Sequence, residues 1–167
     1  GMDQKSGTLK ECMQDWIQRH GSDESAVMLL RGFTQVSRTT IKDWLIKGTI
    51  PAGIGAIILT EFLYLFGYTV TDAPKLDQNL AVICRAVALR VVTPAALAGN
   101  FGVSGTESVC SILRGRRGTS KTPRFLREKA REYSPRIAEV EAGWHEKIRV
   151  LTGEQPERSS AELRSLR

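Results

Sequence analysis

Residues 93–121 read TPAALAGNFGVSGTESVCSILRGRRGTSK, a short helix, a tight turn and a second short helix directly before a loop crowded with positive charge. Ala95, Ala96 and Ala98 keep the first helix slim enough for close approach, and Leu97 and Phe101 give it an apolar face. Gly102 tolerates the positive φ needed where that helix stops, and Val103 is placed to plug the angle between the helices. Ser104 or Thr106 is expected to cap the second helix, whose apolar side is Val109, Ile112 and Leu113. Its polar side, left free for a partner, is Thr106, Glu107, Ser108 and Ser111.

Within this stretch LAGNFGVS resembles the helix-turn segment of the Cro/repressor-like (XRE) family of helix-turn-helix regulators. One repeat length earlier, Val36 to Gly48 reads VSRTTIKDWLIKG and resembles the same family's recognition helix, with Ile41, Trp44 and Leu45 on its buried face. Ser37 and Ser104 lie 67 residues apart, and each is followed by a Gly 11 residues later. The resemblance covers residues 8 to 133. It implies an all-α fold of two tandem repressor-like bundles with a C-terminal helix, and double-stranded DNA as the partner. Because the family usually reads twofold operators, it also implies a homodimer.

Both copies depart from the family pattern. Thr34 and Gln35 stand where the family has an apolar residue and a Gly, so the first turn is expected to differ in geometry. In the second copy Val109 falls one position later than Ile41, which implies an inserted residue near Gly105.

The resemblance matches Arg38, Thr39, Lys42 and Asp43 of the first copy, and Thr106, Glu107, Ser108 and Ser111 of the second, to positions facing bases or phosphates. Arg38 suits a bidentate pair with guanine; Glu107 suits cytosine but repels phosphate. Charge points to the other half of the chain. Residues 1 to 75 hold 8 Lys or Arg against 8 Asp or Glu, residues 76 to 167 hold 16 against 10, and so all of the net +6 lies in the second half. Between Arg114 and Arg131 eight basic residues face only Glu128. Arg114, Arg116, Arg117 and Lys121 are therefore expected to grip phosphate, a contact that adds affinity without sequence preference.

The rest of the chain divides accordingly. Helices are expected from Thr8 to Arg19, from about Ser22 to Phe33, from Ser37 to Lys47, and from Pro51 until Gly67 ends the run. Residues 1–73 form the first unit, with a linker over Thr69 to Asp77; residues 74–151 form the second. Its helices run from Gln78 to Arg90, through the motif, from Pro123 to Tyr133 and from Pro135 to Leu151. Ile137, Val140, Trp144, Ile148 and Leu151 make a stripe that either packs on its own domain or pairs with a second chain. The polar tail 152–167 is expected to be disordered.

Chemistry is hard to place on this chain. Cys12, Cys84 and Cys110 lack paired spacing and read as buried thiols in a reducing compartment. His20 and His145 lie in separate units without metal-ligand spacing, and His20 suits a helix C-terminus as a cation. Gly115 to Thr122 lacks the Gly before Lys that a P-loop needs. No catalytic residue, metal, cofactor or small-molecule ligand is expected. Glu61 interrupts the apolar run Ile50 to Phe66, which is too short to span a membrane. Gly1 before Met2 reads as a tag remnant, no signal peptide is recognised, and a cytoplasmic, nucleoid-associated location is expected. Two functions stay open: a sequence-specific transcription regulator, and an interaction module in which the DNA-reading helices are degenerate. RNA binding is weaker, for want of an aromatic platform.

Overall fold

Thr8 Oγ1 accepts from the Glu11 amide at 3.1 Å while the Glu11 carboxylate accepts from the Thr8 amide at 2.9 Å, a reciprocal cap that starts α1 (Leu9–His20). Asp23 caps α2 (Glu24–Thr34) in a similar way, accepting from the Ser25 amide. After a three-residue turn, α3 (Arg38–Lys42) runs into a π-helical turn, Asp43–Lys47. Then come α4 (Ile54–Leu65), α5 (Gln78–Ala88), α6 (Pro94–Phe101), α7 (Thr106–Leu113) and α8 (Pro123–Thr152), so the chain is all-α. This computed structural model describes residues 5–119 and 121–153, and the expected disorder of the tail concerns residues that lie almost wholly outside them.

The two halves repeat one order of elements, and their landmarks recur at the 67-residue spacing. α2 ends at Thr34 and α6 at Phe101. The residues that follow, Gln35 and Gly102, are both left-handed, with φ of 56° and 67°. Gly48 and Gly115 close the next helices at φ of 68° and 72°. The expectation of an altered first turn is therefore wrong. Gln35 adopts the conformation of the glycine it replaces, at a cost of about 1–2 kcal/mol for a side chain in that region. Its amide bonds the Arg31 carbonyl at 2.8 Å, which holds the helix end in place. Thr34 is buried at the apolar position because its hydroxyl donates to the Leu30 carbonyl at 2.7 Å, leaving its methyl to pack.

One hydrophobic cluster runs from Leu9 to Ile148 through both halves. Trp16, Phe62 and Phe66 meet at ring separations of 5.0 to 5.7 Å, and Phe33 joins Phe62 at 5.4 Å. His20 packs its ring against Trp16 and Phe66, and burial lowers its pKa. It is the last residue of α1, before Gly21, as expected, and burial opposes the charge that position would favour.

Several boundaries differ from expectation for physical reasons. Pro51 does not open α4; the helix starts at Ile54 after Gly53, and Pro51 instead covers its first turn, 3.0 Å from where a Cβ on Gly55 would stand. Thr69 and Val70, expected as linker, form β2, a parallel strand beside β1 (Ser6–Gly7). Leu9 also donates its amide to Asp72 at 2.8 Å, so the link is laced to the start of the chain. The two helices expected around Pro135 are one. A proline removes a single bond to the carbonyl four residues back, and buried Tyr133 and Ile137 on either side hold the helix on the core. The cap of α7 is Gly105 at φ 80°, with no side-chain bond from Ser104 or Thr106. This is the inserted residue of the second copy. The stripe on α8 packs on its own chain: Ile137 and Ile148 are buried, and Val140, Trp144 and Leu151 lie against the same core.

Candidate nucleic-acid interface

α3 and α7 each turn an apolar side inward and a polar side outward. Ile41 of α3 and Trp44 of the π-helical turn are buried, whereas Arg38, Thr39 and Lys42 are exposed. Ser37 fixes the start of this helix, its hydroxyl accepting from the Thr40 amide at 3.2 Å. Asp43 is half-buried and forms an ion pair with Lys47 at 3.4 Å, so it is less available than its three neighbours. Ile46, carried outward by the π-helical turn, is 79% exposed on the same helix.

On α7, Val109, Ile112 and Leu113 are buried as expected, and Thr106 and Glu107 are exposed. Ser108 and Ser111 are half-buried. Ser108 is engaged: its hydroxyl accepts from Arg117 Nη1 at 2.9 Å. The Arg116 and Arg117 amides bond the Ser111 carbonyl at 2.8 and 3.2 Å, folding the basic loop back on the end of the helix. Arg116 and Arg117 are exposed there. Lys121 lies 5.2 Å over the Phe125 ring, a cation–π contact that steadies it at the start of α8. Beyond it Arg124, Arg127 and Arg131 are exposed along the first three turns of α8, extending the positive surface.

Arg114 is less exposed than Arg116 and Arg117. It is half-buried, its Nε is buried without a partner, and it lines a cavity between α4 and α5 together with Glu61 and Cys84. Of the four loop cations, Arg116 and Arg117 are exposed, and Arg114 and Lys121 are half-buried.

The seam between the halves holds charge that sequence reasoning missed. Arg85 of α5 forms an ion pair with Glu141 of α8 and lies 3.9 Å from Glu61 of α4, with His145 Nε2 3.4 Å from Glu141. Burial pushes the Glu61 carboxyl up to about 7, opposed by Arg85 and reinforced by Glu141. Burial likewise pushes the Cys84 thiol up to about 12, so it is inert, and its Sγ donates to the Leu113 carbonyl at 3.4 Å. Cys12 is buried too, and Cys110 is half-buried. A glutamate inside the apolar run of α4 was the available signal for this cluster, because a buried carboxyl needs a partner. Across the seam Arg90 Nη2 donates to the Phe33 and Thr34 carbonyls at 2.9 and 3.1 Å, satisfying the end of α2.

Among the described residues no group of three or more His, Cys, Asp or Glu is arranged to hold a metal ion, and no helix is long and apolar enough to cross a membrane. Compared with known protein families, curated proteins and solved structures, the chain matches none.

Proposed function

We propose that this chain is a non-catalytic protein that binds double-stranded DNA and regulates transcription, with α3 and α7 as the reading helices. One observation carries the reading: the same helix pair occurs twice, with left-handed turn residues at equal spacing, and each second helix keeps a polar face exposed. α7 leads into a loop and helix bearing Arg116, Arg117, Arg124, Arg127 and Arg131, which supply the phosphate contacts that dominate DNA affinity. α3 carries Arg38 and Lys42, the side chains suited to base edges and phosphate in a major groove. A homodimer, the family's usual state, needs a surface other than the α8 stripe.

The interaction-module reading keeps one specific support. Ile46, in the π-helical turn that directly follows α3, is an exposed apolar side chain next to the helix assigned to DNA. Selection of preferred duplexes from a random pool, followed by fluorescence anisotropy, separates the two. Enrichment of a defined sequence is expected; recovery of no sequence, with no salt-dependent binding to duplex, favours the interaction module.

A further inference from the structure

Arg31 of α2 and Arg38 and Lys42 of α3 are exposed, and none of the three forms an ion pair among the described residues. All three line one groove between α2 and α3, where Glu24 is the one carboxylate among the lining residues. Residues 1 to 75 balance at 8 basic against 8 acidic, so the surplus of positive charge belongs to the groove and not to this half as a whole. The rest of the lining is largely apolar. Val27 and Leu45 are half-buried, Ile41 is buried, and Met28 is 67% exposed. A lone exposed methionine is ordinary, but this one extends an apolar surface made by three other side chains.

We propose that the groove between α2 and α3 docks an acidic amphipathic helix of a partner protein, its apolar face on Val27, Met28, Ile41 and Leu45 and its carboxylates on Arg31, Arg38 and Lys42. A duplex can satisfy Arg38 and Lys42 through phosphate and base edges, but it brings no hydrocarbon face to cover Met28. A neutral or basic helix covers the apolar lining and leaves three cations unanswered beside it. Both demands are met by a helix with an apolar stripe and acidic flanks.

The shape of the groove argues for a helix over an extended segment. Glu24, Val27, Met28 and Arg31 lie at the spacing of one helix face, and Arg38, Ile41, Lys42 and Leu45 repeat that spacing on the other wall. Each wall is thus about two turns long, roughly 10 Å, which matches about seven residues of a helix anchored at i, i+3 or i+4, and i+7. Neither wall offers a strand edge to pair with an extended backbone, whereas a helix satisfies its own backbone groups. The docking does not depend on the DNA-binding reading. Since the docked helix covers Arg38 and Lys42, it also keeps α3 off a duplex, and that consequence does rest on the proposed function.

The test pans a phage-displayed library of random peptides about 16 residues long, enough for a helix to form, against the full chain. Enriched sequences are then titrated as labelled synthetic peptides by fluorescence anisotropy without DNA. The proposal expects apolar residues three and four apart, a surplus of Asp and Glu over Lys and Arg, and a Kd of about 10 μM or tighter. Arg31→Glu and Met28→Glu change exposed residues outside the set assigned to DNA, and each is expected to weaken the peptide about tenfold or more. Lys75→Glu, exposed and outside the groove, alters net charge as much as Arg31→Glu and is expected to leave affinity within about twofold. Docking is overturned by no enrichment, by enriched peptides lacking the acidic surplus or the apolar spacing, by affinity unchanged in either groove variant, or by an equal loss in Lys75→Glu. A peptide that binds without displacing a selected duplex overturns the exclusion of DNA. A chain that holds no duplex at all refutes the DNA-binding reading, and the peptide titration still decides the docking.

Discussion

Trp144 of α8 stands edge-on to Phe33 of α2, ring centroids 5.1 Å apart and planes at 72°. Lys147 Nζ lies 4.4 Å from the indole ring. The last helix of the second half is therefore seated on the first half, and Arg90 ties the same end of α2 from α5. Trp144→Ala is expected to cost about 2–4 kcal/mol, below or within the range for a core aromatic because the ring is half-buried. Urea unfolding at equilibrium measures this. A loss under about 0.5 kcal/mol would place Trp144 among surface residues.

Gln35 occupies the left-handed region that Gly102 occupies 67 residues later. Gln35→Gly removes side-chain strain but adds unfolded-state entropy, so a net gain of about 0.5–1 kcal/mol is expected. Gly102→Ala is expected to lose about 1 kcal/mol or more. Thermal unfolding of the two variants checks the pair. A destabilised Gln35→Gly would show that the glutamine side chain makes contacts that outweigh its backbone strain.

The legible parts of this fold are those decided by neighbours in sequence. Thr8 with Glu11, Asp23, Ser37 and Gly102 each announce a helix end through a bond or a φ value that needs nothing distant. The continuity of α8 through Pro135 was not legible, because long-range burial of Tyr133 and Ile137 decides it. Nor was the pairing of Ser6–Gly7 with Thr69–Val70, two residues a side being too few to show alternation. In the candidate interface, the exposure of Arg38, Thr39 and Lys42 was expected from the resemblance to the repressor-like family. The half-burial of Arg114 goes with a cavity it lines beside α4 and α5, which local charge counting cannot show.

Glu61 makes stability depend on pH. Its carboxyl titrates near 7 when folded, against an ordinary value of 4.5. The folded state thus holds the proton more tightly, and this group's contribution is full below 4.5 and lost as pH rises through about 7. Glu61→Gln is expected to match wild type at the acid end and to exceed it above neutrality by on the order of 1–3 kcal/mol. Arg85 keeps Glu141 as its partner in the variant. Denaturant midpoints across pH measure the difference; parallel curves would mean that Glu61 is ionised throughout.

Arg38 on the exposed side of α3 tests base reading directly. Arg38→Ala is expected to cost about 1–3 kcal/mol on a selected duplex and much less on random DNA, since a base contact discriminates and a phosphate contact does not. Anisotropy titrations on both duplexes at one salt concentration provide the comparison. Equal losses would reassign Arg38 to the backbone.

Arg116 and Arg117 are exposed where Arg114 is half-buried, and their amides anchor them to the end of α7. Their cost differs in kind. Arg117 already donates to Ser108, so on meeting a phosphate it shares or exchanges that bond, whereas Arg116 is exposed beside it. Replacing both by Ala is expected to weaken binding to every duplex alike and to flatten the log-log salt dependence by roughly 0.9 per lost contact. Arg116→Ala alone is expected to account for the larger part. Anisotropy across a salt series reads the slope. A double variant with an unchanged slope would take the loop out of the interface and leave the exposed arginines of α8 as the phosphate contacts.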